Sequence, residues 1–228
     1  MDELTRDPET LASGGAYRVG YPVRSIFSFQ FAGLTNGGIP QWYNAAGVPT
    51  TTMLGPNDAD AVAFSGSADP KINLSFNNDF SYKGISLSIF AIYYGGHYFR
   101  ARQVPVSYPY PIYTQLPSYL LDSWTPSNTN TDIPGSRQYY QPPLTNQYYY
   151  SDNLVRRADF IKIRNIVLGY TIPNAIASKI KASNLKVRFQ INNPKSVWIR
   201  EKDVHADPET VDGIPIPTSY VFGISANF

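Results

Sequence analysis

Ile72–Tyr82 reads INLSFNNDFSY, Lys83-Gly84 follows, and Ile85–Tyr94 reads ISLSIFAIYY. Apolar and polar residues alternate along the first segment, and only Asn78 departs from the pattern. A period of two residues is typical of a strand with one apolar face and one polar face. Because Lys83-Gly84 is a tight-turn signal, the stretch predicts an antiparallel hairpin with a very short connection.

Four further segments have strand patterns. Leu185–Asn192 alternates cleanly, and so does the last strand, which begins at Ser219 and places Tyr220, Phe222 and Phe228 on one face. Phe160–Ile172 changes parity, which predicts a bulge or bend near Asn165. Arg18–Ala32 has Phe27, Phe29 and Phe31 on one parity, although Pro22 weakens its first half. The only helical spacing of note lies in Asn174–Lys181, where Ile176 and Ile180 share a face.

The composition fits a β-protein and excludes several classes. The 228 residues include 18 tyrosines, 12 phenylalanines, 16 glycines and 19 prolines, whereas charged residues make up only 16%. Aromatic and turn-forming residues favour strands joined by loops and argue against disorder. A net charge of +2 gives no field for nucleic acid, and the absence of cysteine removes disulfides and thiolate chemistry. The residues from Met1 to Asp7 lack the pattern of a signal peptide.

The connections alternate in length. Lys83-Gly84 and Pro173–Asn184 are short or compact, whereas Thr35–Lys71, Phe99–Asp159 and Asn193–Thr218 are long. Short turns on one side and long loops on the other are typical of outer-membrane barrels. In such a barrel the apolar face meets lipid and the polar face meets a wet lumen. No run of about 18 apolar residues suggests a membrane helix, but a closed barrel does not need one.

The sequence resembles the SusC/RagA-type TonB-dependent outer-membrane receptors. The resemblance depends on motifs that follow one another in the family's order from Gly20 to Phe228. These are Gly20–Phe29 with Ala32-Gly33-Leu34, Asp69-Pro70-Lys71, Phe80–Phe90, Trp124-Thr125-Pro126 with Thr131–Pro134, Phe160–Pro173, Asn184–Val187, Asp207-Pro208-Glu209 and Tyr220–Phe228. The sequence departs from the family after Asn193-Pro194, where Lys195-Ser196 precede Val197-Trp198 in place of bulky apolar residues.

The resemblance implies an all-β fold, an antiparallel transmembrane β-barrel of about 22 strands. About six C-terminal strands would lie in this chain, with long extracellular loops and short periplasmic turns. Residues 1–228 are therefore expected to be the C-terminal part of the barrel domain, with the plug domain and the N-terminal strands absent. The implied protein imports oligosaccharides or peptides across the cell outer membrane. Its partners would be a SusD-like lipoprotein, the TonB system, the barrel-assembly machinery and membrane lipid; no cofactor or nucleic acid is implied.

Two sets of residues are candidates for function. The long loop from Phe99 to Asp159 carries nine tyrosines between Tyr108 and Tyr150. Aromatic faces stack on sugars, so Trp124, Arg137, Tyr139 and Tyr140 are candidate ligand-binding residues of the vestibule, against the alternative that they pack the loop. The resemblance implies that Tyr220, Phe222 and Phe228 act as a barrel-assembly signal, against the alternative of an ordinary lipid-facing strand.

Without the resemblance, the residues alone are compatible with other functions. The main alternative is a soluble β-sandwich module that binds carbohydrate, and a third is a small self-contained outer-membrane protein or adhesin. An enzyme is not expected, because no catalytic set can be assembled. No metal site is expected either, because His97, His205 and the run Asn57–Asp60 lack suitable spacing.

Overall fold

The computed structural model describes residues 7–101, 118–135, 142–195, 197–201, 207–210 and 214–227. The chain divides into two compact units. The first unit comprises Met1–Asp69 with Tyr98–Arg156, and the second unit comprises Pro70–His97 with Arg157–Phe228.

Strands dominate the described ranges. They are β1 (Ser25–Phe29), β2 (Phe31–Leu34), β3 (Pro40–Tyr43), β4 (Pro49–Thr50), β5 (Val62–Ser67), β6 (Ile72–Tyr82), β7 (Ile85–Gly95), β8 (Tyr98–Arg100), β9 (Val155–Arg157), β10 (Phe160–Ile172), β11 (Asn184–Asn192), β12 (Val197–Ile199) and β13 (Ser219–Asn227). The helices are α1 (Pro8–Ala12), α2 (Pro142–Tyr149) and α3 (Asn174–Ala177), with 3-10 turns at Pro56–Ala61, Ser118–Asp122, Asp152–Leu154 and Ser178–Ile180. No helix in the described ranges is long and apolar enough to cross a membrane.

The second unit is an antiparallel sheet with the strand order β13-β11-β10-β7-β6, and β12 pairs with the start of β10. The predicted hairpin is confirmed: β6 and β7 pair from Ile72↔Gly95 to Tyr82↔Ile85. Lys83 (φ 47°) and Gly84 (φ 84°) both have positive φ, as a two-residue type I′ turn requires. The five long strands therefore form a meander with short or compact turns at one end.

A bulge near the predicted position keeps the faces of this sheet in register. Along β10 the pairing with β7 passes from Ile163↔Ala91 to Asn165↔Phe90, so Arg164 is the extra residue. Before the bulge the odd-numbered Ile161 and Ile163 share a face with Ala91, and after it the even-numbered Ile166 takes that position opposite Ile89. Since a strand has a period of two, only an extra residue can change parity in this way.

The first unit has its own hydrophobic core. Its sheets are β1-β5, β2-β3-β4 and β8-β9. Buried apolar residues from most of its elements form one cluster: Leu11, Ala12, Phe27, Phe29, Trp42, Leu54, Ala61, Val62, Tyr148 and Leu154. The indole N–H of buried Trp42 donates to Ser151 Oγ at 2.7 Å, so the polar atom of this large side chain is satisfied. The described parts of the long connections Thr35–Lys71 and Phe99–Asp159 thus contribute strands and a helix to this unit.

Two segments named in the sequence analysis, Arg18–Ala32 and Asn174–Lys181, follow their predicted structure to different extents. The segment Arg18–Ala32 is a strand only from Ser25 and belongs to the first unit, because Pro22 precedes it and β1 pairs with β5. Ser28 of β1 is also fully buried, and its hydroxyl accepts a hydrogen bond from Arg100. Helix α2 is not evident from the sequence, because it has two prolines and no apolar stripe, whereas the predicted turn of helix at Asn174 is confirmed as α3.

Candidate functional site

One face of the second unit is apolar across its five long strands except at Asn78, and we call it the apolar face. Cross-strand partners fall on the same face, so the register joins Phe80, Leu87, Leu168, Phe189 and Phe222 into one row. The rows on either side continue the pattern. Several of these side chains are well exposed, for example Phe76 at 64% and Phe222 at 65%. So much exposed apolar area in adjoining rows is not a water-facing surface.

Aromatic residues border the apolar face at both ends. Tyr82 and Tyr170 lie beside the short turn, and Tyr93 and Trp198 lie in the row that Ile161 occupies near the long connections. Tyr82 pairs with Ile85, and Tyr93 is eight residues further along β7, which is about 27 Å along the strand. A strand tilt of about 40° reduces this to about 21 Å, close to the apolar band of about 25 Å between the aromatic girdles of outer-membrane barrels.

The opposite face of the sheet is largely polar, and we call it the polar face. It carries Ser86 and Ser88 of β7, Lys186, Arg188 and Gln190 of β11, and the alternate residues of β6 and β13. It also carries Lys162 of β10, whose neighbours in the register are Ile92 and Val197. The alternation predicted from the sequence therefore holds over most of the sheet, whereas the end of β7 far from the short turn has apolar residues on both faces.

Four charged residues meet at the end of the polar face, and we call them the inner cluster: Lys162, Arg164, Asp207 and Glu209. Lys162 Nζ lies 2.7 Å from Asp207 Oδ2 and 2.7 Å from Glu209 Oε2, and Arg164 also pairs with Glu209. The Lys162 side chain is only 5% exposed. Removing one partner of such a buried pair costs about 3–5 kcal/mol, so the inner cluster holds the last long connection firmly against β10.

The local sequence explains why both acids point the same way. The N–H of Thr210 donates to the carbonyl of Asp207 at 2.9 Å, and the N–H of Glu209 donates to Asp207 Oδ1 at 3.1 Å. This is a β-turn with Asp in the first position and Pro208 in the second, where proline's fixed φ is favourable. The turn presents the two carboxylates to the two cations of β10.

A second ion cluster surrounds Asp159, just before β10. Its carboxylate accepts from the Gly96 N–H at 2.8 Å, from Arg157 at 3.0 Å and from Arg200 at 3.1 Å. Burial opposes ionisation, but these donors and cations outweigh it and hold the pKa of Asp159 below its usual value. Buried His97 lies nearby with its ring edge to Phe160. Burial lowers the pKa of His97, and the negative charge of Asp159 opposes that shift.

The predicted ligand-binding residues are only partly described. Trp124 lies in the first unit with its ring against Gly38, where an added Cβ would sit 2.5 Å from the indole. Its backbone N–H donates to the carbonyl of Ile133 at 2.7 Å, which closes the Trp124–Pro134 turn. This is the contact expected if Trp124 packs the loop, and its role in ligand binding stays a prediction. Arg137, Tyr139 and Tyr140 lie outside the described residues.

Two of the predicted assembly residues, Tyr220 and Phe222, lie on the apolar face. Tyr220 is 68% exposed and stacks on Phe189 with ring centres 6.2 Å apart, and Phe222 pairs with Phe189 in the register. Phe228 lies outside the described residues. An assembly signal and an ordinary lipid-facing strand both require these positions to be apolar and exposed, so the signal remains a prediction.

Comparisons with known proteins point to one family. No protein-family model matches the sequence. A curated relative, TonB-dependent receptor P3 of Formosa agariphila, is 23% identical and is matched by 71% of this chain, which spans 16% of that protein. Solved structures of the RagAB peptide importer in its open-open and closed-closed states match 93% of this chain, with TM-scores of 0.70 and 0.70 and identities of 25% and 26%.

The chain is similar to the SusC/RagA-type TonB-dependent receptors. Its fold is a segment of their antiparallel transmembrane β-barrel, and its location is the outer membrane. It spans less than a quarter of the RagAB chains that it matches, 23% and 24%. These relatives are receptors and importers rather than enzymes.

Sequence reasoning missed the inner cluster. The motifs Phe160–Pro173 and Asp207-Pro208-Glu209 both stand out in the sequence, but neither indicates a contact with the other. One signal is available. Lys162 is a charged residue on the parity that faces away from Ile161 and Ile163, and a cation at a position that becomes buried requires an anionic partner.

Proposed function

We propose that the chain forms part of the wall and outer loops of an outer-membrane importer for oligosaccharides or peptides. Residues 1–228 are then the C-terminal part of the barrel domain, with the plug contributed by another part of the receptor. The observation that carries the proposal is the apolar face, bordered by aromatic residues at both ends and backed by a polar face. Such a sheet suits a wall between lipid and a wet lumen.

The strand ends support the view that this sheet is one portion of a larger wall. Within the described residues, β6 and β13 each pair with a neighbour on one side only. An open edge in a membrane leaves backbone groups without partners, so further strands must continue the sheet on both sides. A closed barrel needs at least about eight strands, more than this sheet has.

The alternative of a soluble β-sandwich fits this surface less well. In a sandwich the apolar rows pack against a second sheet about 10 Å away. In the second unit the rows of the apolar face include residues such as Leu74 and Phe80 that are 60% and 58% exposed. The large exposed area supports contact with lipid.

The proposed partners follow from the same function. A SusD-like surface lipoprotein would cover the long connections, a TonB system would energise transport, and the barrel-assembly machinery would insert the protein. The similarity to the RagAB peptide importer supports the first of these. The cargo would be an oligosaccharide or a peptide.

Uptake by whole cells tests the proposal. Cells with and without the receptor gene are given labelled oligosaccharides or labelled peptides, with an uncoupler of the proton-motive force as a control. Uptake that requires both the gene and the proton-motive force supports the importer. If the protein partitions into the soluble fraction without detergent, or if uptake of neither cargo changes, the proposal is wrong.

A further inference from the structure

A cavity of about 750 Å³ lies in the second unit between the polar face and the last long connection. Its lining includes Lys162 and Asp207 of the inner cluster, Val197 and Ile199 of β12, and the segment from Pro215 to Pro217. Its volume is within the range of about 300–1,000 Å³ found for ligand pockets.

Two attachments fix the shape of the cavity. Lys162, which lines the cavity, forms salt bridges with Asp207 and Glu209. At its neck, the hydroxyl of Thr218 donates to the carbonyl of Asn193 at 2.7 Å, which brings the two ends of the connection together. A cavity whose walls are held in place loses less conformational entropy when a ligand binds, so its affinity for a fitting ligand is higher.

The lining selects against sugars. Its described residues are aliphatic, proline or small polar residues with two lysines and one acid, and none of them is aromatic. Sugar rings bind by stacking on aromatic faces, which this lining lacks. Ile216 is 53% exposed beside half-buried Val197 and Ile199, so the walls offer apolar area to an aliphatic side chain.

The charged residues of the lining determine which polar group of a ligand can bind. Lys162 is neutralised by the inner cluster, whereas Lys195, another lining residue, is exposed and has no ion pair with any residue in the described ranges. An ammonium group beside an apolar pocket suits a carboxylate attached to an apolar group.

We propose that this cavity is a subsite for peptide cargo that ends in an aliphatic residue, with the side chain between Ile216 and Val197 and the terminal carboxylate at Lys195. The inference rests on the proposed importer function and narrows its cargo to peptides. Because the subsite offers one apolar surface and one cation, it recognises the last residue of the peptide rather than the full peptide sequence.

Calorimetry on the full receptor in detergent tests the subsite. The probes are three N-acetylated hexapeptides that share five residues and end in leucine acid, leucine amide or serine acid. The leucine acid should bind at least about fivefold more tightly than either of the others. Lys195→Gln should remove the difference between acid and amide, and Ile216→Ser should remove the difference between leucine and serine. The control Lys186→Gln changes an exposed lysine on another part of the polar face and should leave all three affinities unchanged.

The outcomes separate this inference from the proposed function. Equal affinity for the three peptides, or unchanged preferences in Lys195→Gln and Ile216→Ser, overturns the subsite even if uptake depends on the receptor. Binding of an oligosaccharide that is weakened by Ile216→Ser overturns the assignment to peptides. Loss of gene-dependent uptake in whole cells would instead overturn the importer.

Discussion

Replacing Ile191 with arginine should place a charge in the middle of the hydrocarbon. Ile191 lies on the apolar face opposite Ile166 on one side and Tyr220 on the other. Its row lies midway between the row of Tyr170 and the row of Trp198, which mark the two aromatic borders. The side chain therefore reaches the depth at which a cation is most costly.

The expected cost follows from this depth. Arginine on the lipid face of a barrel costs about 2–4 kcal/mol at the bilayer midplane and close to zero near the interfaces. At about 1.4 kcal/mol per factor of ten, the folding equilibrium should fall roughly 30- to 700-fold. The neighbouring change Gln190→Arg supplies a matched control, because Gln190 is the adjacent residue of β11 and lies on the polar face opposite Val167.

Equilibrium unfolding of the receptor in lipid vesicles measures both variants. Urea titration monitored by tryptophan fluorescence, together with the gel shift between folded and heated barrel, gives the free energy of unfolding. We expect Ile191→Arg to be less stable by the stated amount and Gln190→Arg to stay within about 1 kcal/mol of the parent. Equal losses in the two variants, or a larger loss for Gln190→Arg, would refute the assignment of the apolar face to lipid.

Four further predictions concern the bulge, the ion cluster at Asp159 and the first unit. Deleting Arg164 should turn Lys162 towards lipid and abolish the heat-modifiable barrel on gels, whereas Arg164→Ala keeps the extra residue and should still assemble. Because folding lowers the pKa of Asp159, the ionised carboxylate stabilises the folded protein above about pH 4, and this stabilisation is lost as the pH falls through the pKa of the folded state. Asp159→Asn should therefore make the free energy of unfolding less dependent on pH between pH 7 and pH 3. Arg100→Met should destabilise the first unit by about 2–4 kcal/mol in limited-proteolysis assays, because the guanidinium donates to the carbonyls of Ala12 and Phe27. Trp124→Ala should loosen the turn against Gly38, and unchanged ligand affinity in calorimetry would reject the predicted role of Trp124 in the vestibule.

The barrel-like sheet can be predicted from the sequence because its information is local. Alternation along β6, β7, β11 and β13 assigns each residue to a face without knowledge of any partner strand. The turn at Lys83-Gly84 fixes the register of its hairpin by its length. Even the bulge is indicated, because the apolar positions change parity between Ile163 and Ile166 and a regular strand cannot change parity.

The first unit cannot be predicted in the same way, because its order depends on contacts far apart in sequence. Trp42 bonds to Ser151, and Arg100 bonds to the backbone of Ala12 and Phe27. The short strands β2, β3 and β4 are too brief to show a period, and α2 has no apolar stripe. Stability there comes from the shared core, so segments that look like loops one at a time become ordered together.

The inner cluster can be predicted from the sequence only in part. Its halves, Lys162 with Arg164 and Asp207 with Glu209, stand in two separate motifs, and their contact depends on how the last long connection folds back. Sequence separations of about 45 residues give no periodic signal. The sequence does show that β10 carries a cation, and a cation that becomes buried in a sheet needs an anionic partner or access to water.

The bulge at Arg164 meets that constraint. Without the extra residue, the strand that places Ile166 and Leu168 on the apolar face would also place Lys162 there, at a cost of about 2–4 kcal/mol in mid-membrane and less near its edge. With it, Ile161 and Ile163 join the apolar face, and Lys162 turns to the polar face, where Asp207 and Glu209 bind it. The bulge therefore lets one strand form part of the lipid-facing wall and anchor the last long connection, so the apolar face and the inner cluster depend on the same residue.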